Sequence, residues 1–392
     1  MTQDSFLPFS RPEISEEEIA EVVDTLRSGW VTTGPKAKQF EQDFSHYLTG
    51  NESDASIYSV AVNSATAGLH LALEALGIGP GDEVIIPTYT FTATAEVVRY
   101  MGATPVLVDI QPDTFNIDPI AIEAAITPST RMIIPVHFAG LACDMGQILQ
   151  LAEKYQLRVV EDAAHALPTT WAGKKVGTLG SDACVFSFYA NKTMTTGEGG
   201  MLVTRHSRIA ERAKVMRLHG ISKDIFDRYQ SNKPNWFYEV IAPGFKYNLT
   251  DIAAAIGIQQ LKKIDQFHLA RERLAQEYNQ LLKDLPLRLP TDAPSGDLQA
   301  RHLYPIRLLD QSAITRDRFI ERMAEAGVGC SVHFIPLHLH PYWQSCCHVT
   351  PANFPIAQAA FEQEVSLPLF PSMQSEDVVR VVEALKRVLA QE

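Results

Sequence analysis

The chain has 392 residues, more than one hydrophobic core usually organises, so two domains are the expectation. Hydrophobic residues make up 46% and charged residues 20%, while Gly (22) and Pro (23) are too few for a disordered or fibrous chain. Lys and Arg number 34 against 46 Asp and Glu; the net charge of −12 argues against nucleic acid or an acidic membrane surface as a partner, so any phosphate must be gripped locally.

The opening text, TQDSFLPFSRPEISEEE, carries neither the basic region nor the apolar run of a secretory signal, and no later stretch reads as a membrane span; a cytoplasmic protein is expected. The next two segments, EEEIAEVVDTLRSG and AKQFEQDFSHYLTG, have helical periodicity and flank the turn TTGP. From residue 64 helices and short apolar runs alternate through PTYTFTATAEVV, RMIIPVHFAG and LRVVEDAAHA. Apolar runs without polar alternation suit strands covered on both faces, hence an α/β fold with a largely parallel sheet and ligands at the strands' carboxyl ends. A long helical pattern through DIAAAIGIQQLKKIDQF leads to the loop LRLPTDAPSGD. Beyond it RHLYPIRLL, DRFIERMAEAGV and GCSVHFIPL read as strand, helix and strand, and SEDVVRVVEALKRVLAQE closes the chain as a helix. This gives a large domain over residues 1–258 and a smaller α+β domain over 259–392.

Several strand ends carry chemistry. In NSATAGLHLAL, Ser64, Ala65 and Thr66 precede an apolar helix, where free backbone N–H groups and a hydroxyl hold an anion or simply cap the helix. Phe91 follows a strand and either stacks on a planar ligand or packs in the core. Glu161 and Asp162 end another strand, as ligand-facing acids or as a helix cap. CVFSFYANK brings Ser187 and Lys192 to the same region; an amine at the end of an apolar stretch loses hydration, and its neutral, nucleophilic form becomes accessible. An amine, an acid, an aromatic face and an anion cup are the parts a pyridoxal phosphate site needs.

Other motifs carry less. GIGPGDEV lies after a helix and before a strand, the reverse of a dinucleotide fingerprint, and reads as a turn. His333, His338 and His340 lack a cysteine or acid at ligand spacing, so substrate contact or packing is expected there and no metal. The cysteines, Cys143, Cys184, Cys330, Cys346 and Cys347, are odd in number and unpaired in spacing, against a disulfide framework.

Taken together, SGWVTTGP, NSATAGLHLAL, PTYTFTATA, VVEDAAHA, FSFYANKTMTTGEGGM, PGFKYNLTDIAAAIG and HFIPLHLHPYW resemble the DegT/DnrJ/StrS nucleotide-sugar aminotransferases over nearly the whole chain. The resemblance implies the aspartate aminotransferase-like α/β fold, with a large domain built on a mixed, mostly parallel sheet and a smaller α+β C-terminal domain. It implies pyridoxal 5'-phosphate as cofactor, with Lys192 as the Schiff-base lysine and Asp162 as partner of the pyridine nitrogen. His165 would approach the phenolic oxygen, Phe91 would stack on the ring, and Ala65, Thr66 and Ser187 would hold the phosphate. Asn248 would reach the phosphate of a neighbouring subunit, giving a homodimer with shared active sites, and Thr33 and His338 would touch substrate. The implied reaction is transamination of a nucleotide-linked 4-keto sugar with L-glutamate as donor. A 3-keto sugar enzyme and a non-catalytic regulator on the same fold are the alternatives. A carboxylate-clamping arginine, for which Arg301 and Arg307 are candidates, would instead indicate an amino-acid substrate.

Overall fold

A central sheet of seven strands, in the spatial order Tyr58–Val62, Gly200–Thr204, Ala183–Ser187, Arg158–Asp162, Thr130–Ile133, Glu83–Pro87 and Thr104–Val108, carries the larger part of the chain. The computed structural model describes residues 6–50, 57–222, 237–309 and 312–390. The strands are β1 (Tyr58–Val62), β2 (Glu83–Pro87), β3 (Thr104–Val108), β4 (Thr130–Ile133), β5 (Arg158–Asp162), β8 (Ala183–Ser187) and β9 (Gly200–Thr204). Between β5 and β8, β6 (Thr170–Trp171) and β7 (Lys174–Lys175) form a separate hairpin. The last four residues of β2 and of β5 are all buried, as runs covered on both faces require.

β2, β3, β4, β5 and β8 run parallel, whereas β9 pairs antiparallel with both β1 and β8. The parallel register sets Asp162 of β5 beside Val185 of β8, so the carboxyl ends of these neighbours open onto the same edge.

The expected N-terminal helices are α1 (Glu16–Ser28), started by a Ser15–Glu18 capping box, and α2 (Pro35–Thr49). Around the sheet lie α3 (Ala65–Ala75), α4 (Ala93–Tyr100), α5 (Pro119–Ala125), α6 (Met145–Tyr155) and α7 (Ser207–Met216). A buried Glu41–Arg217 pair, also bonded to the Ala61 backbone, ties α2 and the end of α7 to β1.

The long helix is α8 (Asp251–Leu282), capped by the Thr250 side chain on Ala253 N–H. The expected division after residue 258 falls inside it. Ala254, Ile258, Leu261 and Ile264 pack with the large sheet, while Leu274, Ala275, Tyr278 and Leu282 pack with the C-terminal core. The helix therefore changes hydrophobic partners between Ile264 and Leu274 without breaking. Leu7 also packs in the C-terminal core and bridges Val328, so the first described residues contribute to the smaller unit.

That unit has an antiparallel sheet of β10 (Leu287–Arg288), β11 (Tyr304–Leu308) and β12 (Glu364–Leu367). Its helices are α9 (Arg316–Glu325), α10 (Pro341–Cys347), α11 (Pro355–Gln363) and α12 (Ser375–Ala390); the last two residues expected in α12 lie outside the described residues. Among the described residues no helix is long and apolar enough to cross a membrane.

Two glycines let α3 lie directly on the sheet. A Cβ on Gly68 would come 2.7 Å from the Val185 side chain, and one on Gly200 would come 2.7 Å from Ala65 N and 2.9 Å from Phe186 O. The contacts at Gly200 are backbone atoms, which cannot rotate away. Gly200→Ala is therefore expected to lower stability by about 1–3 kcal/mol and to displace the start of α3. A thermal unfolding midpoint equal to that of the parent protein would show that α3 has room to shift.

Candidate active site

Alternation along β5 sends its two terminal acids to opposite faces. Glu161 turns away from the strand-end cavity: His137 Nε2 donates to it at 2.9 Å, and Ser181 Oγ donates to its other oxygen. His137 Nδ1 accepts the Cys143 N–H at 3.0 Å, so this ring carries its proton on Nε2. Asp162 turns into a cavity of about 580 Å³. Thr94 Oγ1 donates to its Oδ2 at 2.8 Å and Ala164 N–H to its Oδ1 at 3.2 Å. Burial pushes its carboxyl above the usual range, against the pull of those two bonds and of the Lys192 charge.

Lys192 enters the same cavity from the loop that joins β8 to β9. Phe188 N–H donates to Gly199 O at 2.9 Å, Thr196 N–H to Phe188 O at 3.0 Å and Lys192 N–H to Tyr189 O at 3.0 Å. Thr195 N–H reaches Gln260 Oε1 of α8, and Gln260 in turn holds Glu18 of α1, so the loop is braced from behind. Removal from water lowers the Lys192 amine to about 8, with the Asp162 charge acting the other way.

At the cavity wall nearest α3, Ser64 Oγ caps Ala67 N–H at 3.1 Å. The N–H groups of Ala65 and Thr66 precede the first helical bonds and have no acceptor among the described residues. Ala65, Thr66 and Ser187 all line the cavity. Capping and an open anion cup thus coexist in one turn.

Phe91 is 58% exposed at the cavity mouth, its ring 5.9 Å from that of Phe334, so it is not a core residue. His165 is buried and its Nδ1 accepts the Ala139 N–H at 3.3 Å, which leaves the ring proton on Nε2. Burial and the neighbouring Lys192 and His333 hold its pKa well below the usual value.

His338, His340 and Thr33 lie outside the lining of this cavity, as does Asn248, which was expected to serve a neighbouring subunit. His338 is fully buried between Thr88 (2.8 Å) and Gln358 (3.2 Å) and stacks on Phe354, a packing role away from the cavity lining. His340 bonds the Ile335 carbonyl, so with His333 on Ser366 the three histidines of that motif have separate partners. Thr33 and Asn248 do not line the cavity but meet each other, Asn248 Nδ2 donating to Thr33 Oγ1 at 2.6 Å. Lys246 Nζ donates to Asn248 Oδ1 at 2.6 Å.

The cavity also takes residues that no local pattern had marked: Asn191 beside the lysine, and His302 and Phe334 from the smaller unit. Asn191 Oδ1 and both ring nitrogens of His302 are buried without a hydrogen-bond partner among the described residues. Arg301, next to His302, is held by Glu272 at 2.8 Å and Asp292 at 2.6 Å and lies outside the lining.

A model of the DegT/DnrJ/EryC1/StrS aminotransferase family matches residues 12–386. The chain belongs to that family. The Bacillus subtilis spore coat polysaccharide biosynthesis protein SpsC is 45% identical over 98% of this chain and 97% of its own. A putative sugar aminotransferase from Streptococcus pneumoniae, Spr1654, in its pyridoxamine phosphate form, superposes with a TM-score of 0.91 at 37% identity, covering 98% of this chain and 99% of its own. Helicobacter pylori PseC, an aminotransferase of pseudaminic acid biosynthesis, gives 0.91 at 28% identity over 99% and 100%.

Pyridoxal 5'-phosphate is the cofactor of this aminotransferase fold. The cavity fits it: a buried carboxylate that, among the described residues, forms no ion pair, an amine whose pKa is lowered to about 8, an exposed aromatic ring and a turn whose N–H groups have no acceptor among those residues.

The Asp162 charge is the interaction that raises the Lys192 pKa. Asp162→Asn is accordingly expected to move that pKa below about 8 in the cofactor-free protein. The pH dependence of Lys192 modification by an amine-reactive reagent, read by peptide mapping, measures it; an unchanged or upward-shifted profile would show that the two groups do not interact.

Proposed function

We propose that this protein transfers an amino group from L-glutamate to the 4-keto carbon of a nucleotide-linked sugar, giving a 4-amino sugar nucleotide for a cell-surface polysaccharide or a related product. The observation that carries the reading is Lys192, a lysine of lowered pKa in one cavity with Asp162 on an aminotransferase fold. SpsC and PseC, by name, serve the biosynthesis of spore coat polysaccharide and of pseudoaminic acid, and Spr1654 is a putative sugar aminotransferase.

The space beside the cavity supports a substrate larger than an amino acid. A groove of about 660 Å³ shares Thr90, Phe91 and Phe334 with it and is walled by Tyr100, Tyr342 and Trp343. Aromatic faces of this kind suit sugar rings and bases. Arg301 is committed to Glu272 and Asp292, which argues against its acting as an α-carboxylate clamp.

Bound pyridoxal phosphate supplies an electron sink for the pair left when a substrate C–H bond breaks. In this reading Asp162 keeps a proton on the heterocycle's nitrogen through its cavity-facing carboxylate. The N–H groups of Ala65 and Thr66 and the hydroxyls of Thr66 and Ser187 orient the phosphate. Lys192 Nζ takes the α-proton of glutamate and, in the second half of the cycle, delivers a proton to the carbon that receives nitrogen. Phe91 covers the ring, and Nε2–H of His165 donates to its phenolic oxygen.

Asn248 completes the phosphate site of a second copy in this reading, which makes the enzyme a homodimer. In support, Lys246 and Asn248 sit outside their own chain's cavity, and Val240 and Ile241 on the same segment are 64% and 57% exposed.

Lys192→Ala is expected to abolish both half-reactions, and borohydride reduction of the parent protein should fix the cofactor on the peptide containing Lys192. Glutamate should bleach the cofactor's absorbance, and a 4-keto sugar nucleotide should restore it. Restoration by a 3-keto sugar instead would move the amination site, and no response to any amino donor would favour a regulator. Subunit sharing has its own check: mixing Lys192→Ala with Asn248→Ala chains regenerates one intact site per heterodimer. Activity that stays at the level of the separate variants would place Asn248 outside the partner's site.

A further inference from the structure

Glu364 begins β12 with no surface exposure, and neither the lysine chemistry nor the phosphate cup uses it. Its Oε2 accepts the backbone N–H of His333 at 3.0 Å, and its Oε1 lies 2.5 Å from Ser366 Oγ. Ser366, equally buried, sits 3.0 Å from His333 Nδ1. The other ring nitrogen, Nε2, has no hydrogen-bond partner among the described residues, on a side chain that lines the cavity.

A hydroxyl has one proton, so this row can point only one way at a time. With Glu364 ionised, Ser366 donates to Oε1 and accepts from His333 Nδ1–H, leaving Nε2 a bare acceptor. When a proton arrives at Nε2 from the cavity, the Nδ1 proton passes to Ser366 and the hydroxyl proton passes to Glu364. One proton is gained, no other bond changes, and Nε2 has become a donor.

We propose that Glu364, Ser366 and His333 form a buried proton relay that sets whether His333 Nε2 offers a donor or an acceptor to an oxygen of the sugar acceptor. The substrate clause rests on the sugar-transamination reading above; the relay itself does not. His333 is then a substrate-contacting residue and Glu364 a positioning residue that acts through it.

The surroundings suit such a device. Arg316, Tyr89 and Cys330 are the ionisable neighbours of Glu364, and Arg307 stands opposite it in the β11–β12 pair. Arg316 is turned to Asp317 and the Phe361 carbonyl, and Arg307 lies over Phe115, so neither hydrogen-bonds the carboxylate. Burial accordingly raises Glu364 to about 8. Lys192, His165 and His302 face His333, and burial together with the Lys192 charge holds that ring at about 4, so it remains neutral while its tautomer changes.

The test uses the cofactor-loaded protein with 15N-labelled histidine, the His333 ring signals being assigned by their loss in His333→Gln. Below pH 8 the Nε2–H tautomer is expected, giving way to Nδ1–H above it. Glu364→Gln, whose amide repeats the acid's donor, should hold Nε2–H throughout, and Ser366→Ala should remove the pH response. In Glu364→Gln, kcat/KM for the keto sugar should lose its inflection near pH 8, while the glutamate half-reaction keeps its profile. A wild-type ring that ignores pH, or one that still switches in Glu364→Gln, overturns the relay; if that variant does not fold, a pH response surviving in Ser366→Ala overturns it equally. A tautomer that switches in a protein no keto sugar reoxidises leaves the relay standing and removes the sugar reading.

Discussion

An amine and a carboxylate share one poorly hydrated cavity, and the rest of the site is arranged around that pairing. Burial drives Lys192 and Asp162 alike toward their neutral forms, and each opposes the effect on the other. Two buried charges are tolerated only where further bonds satisfy them. Thr94 and the Ala164 N–H supply those bonds to the carboxylate, and the hairpin between Phe188 and Gly199 fixes the approach of the lysine. The parallel pairing of β5 with β8 makes the meeting possible, because it brings both carboxyl ends to one edge of the sheet. Gly200 and Gly68 serve the same end by letting the start of α3 press against that edge.

Much of this was legible in the sequence because the functional groups stand at the carboxyl ends of apolar strands, β1, β5 and β8, or in the turns that follow them. Asp162, Lys192, Ser187, Ala65 and Thr66 fall into one cavity for that reason. The reversed direction of β9 was not legible, since a buried antiparallel strand has the same continuous apolar character as a parallel one. Nor was the exposure of Phe91, because an aromatic after a strand normally packs inside. His302 and Phe334 reach the cavity from the smaller unit, and no short-range pattern could place them there. His338 shows the converse: a histidine in a suggestive motif whose two nitrogens are both spent on packing partners. Helical periodicity also conceals the change of partner along α8, since a helix can exchange one core for another without altering its repeat.

The histidines around Lys192 share one electrostatic property. His165, His302 and His333 are all held below the usual imidazole pKa, by burial first and then by the lysine or one another. A charged ring at any of these positions would compete with Lys192 for Asp162 and suppress the amine's proton transfer. Neutral rings keep hydrogen-bonding capacity in the wall without adding a cation.

That capacity is left partly unused in the protein alone. Among the described residues no protein group pairs Asn191 Oδ1 or either ring nitrogen of His302, and both side chains face the cavity. A ligand that donates to Asn191 Oδ1 and pairs the His302 ring is favoured over one that leaves these groups unpaired, because each lost pairing costs about 1–3 kcal/mol. An apolar ligand of the same shape would leave the penalty in place. Discrimination in this cavity therefore follows less from its volume than from the pattern of donors and acceptors on its wall, where the Ala139 N–H fixes the His165 tautomer and the relay proposed for His333 leaves that ring's tautomer to the proton.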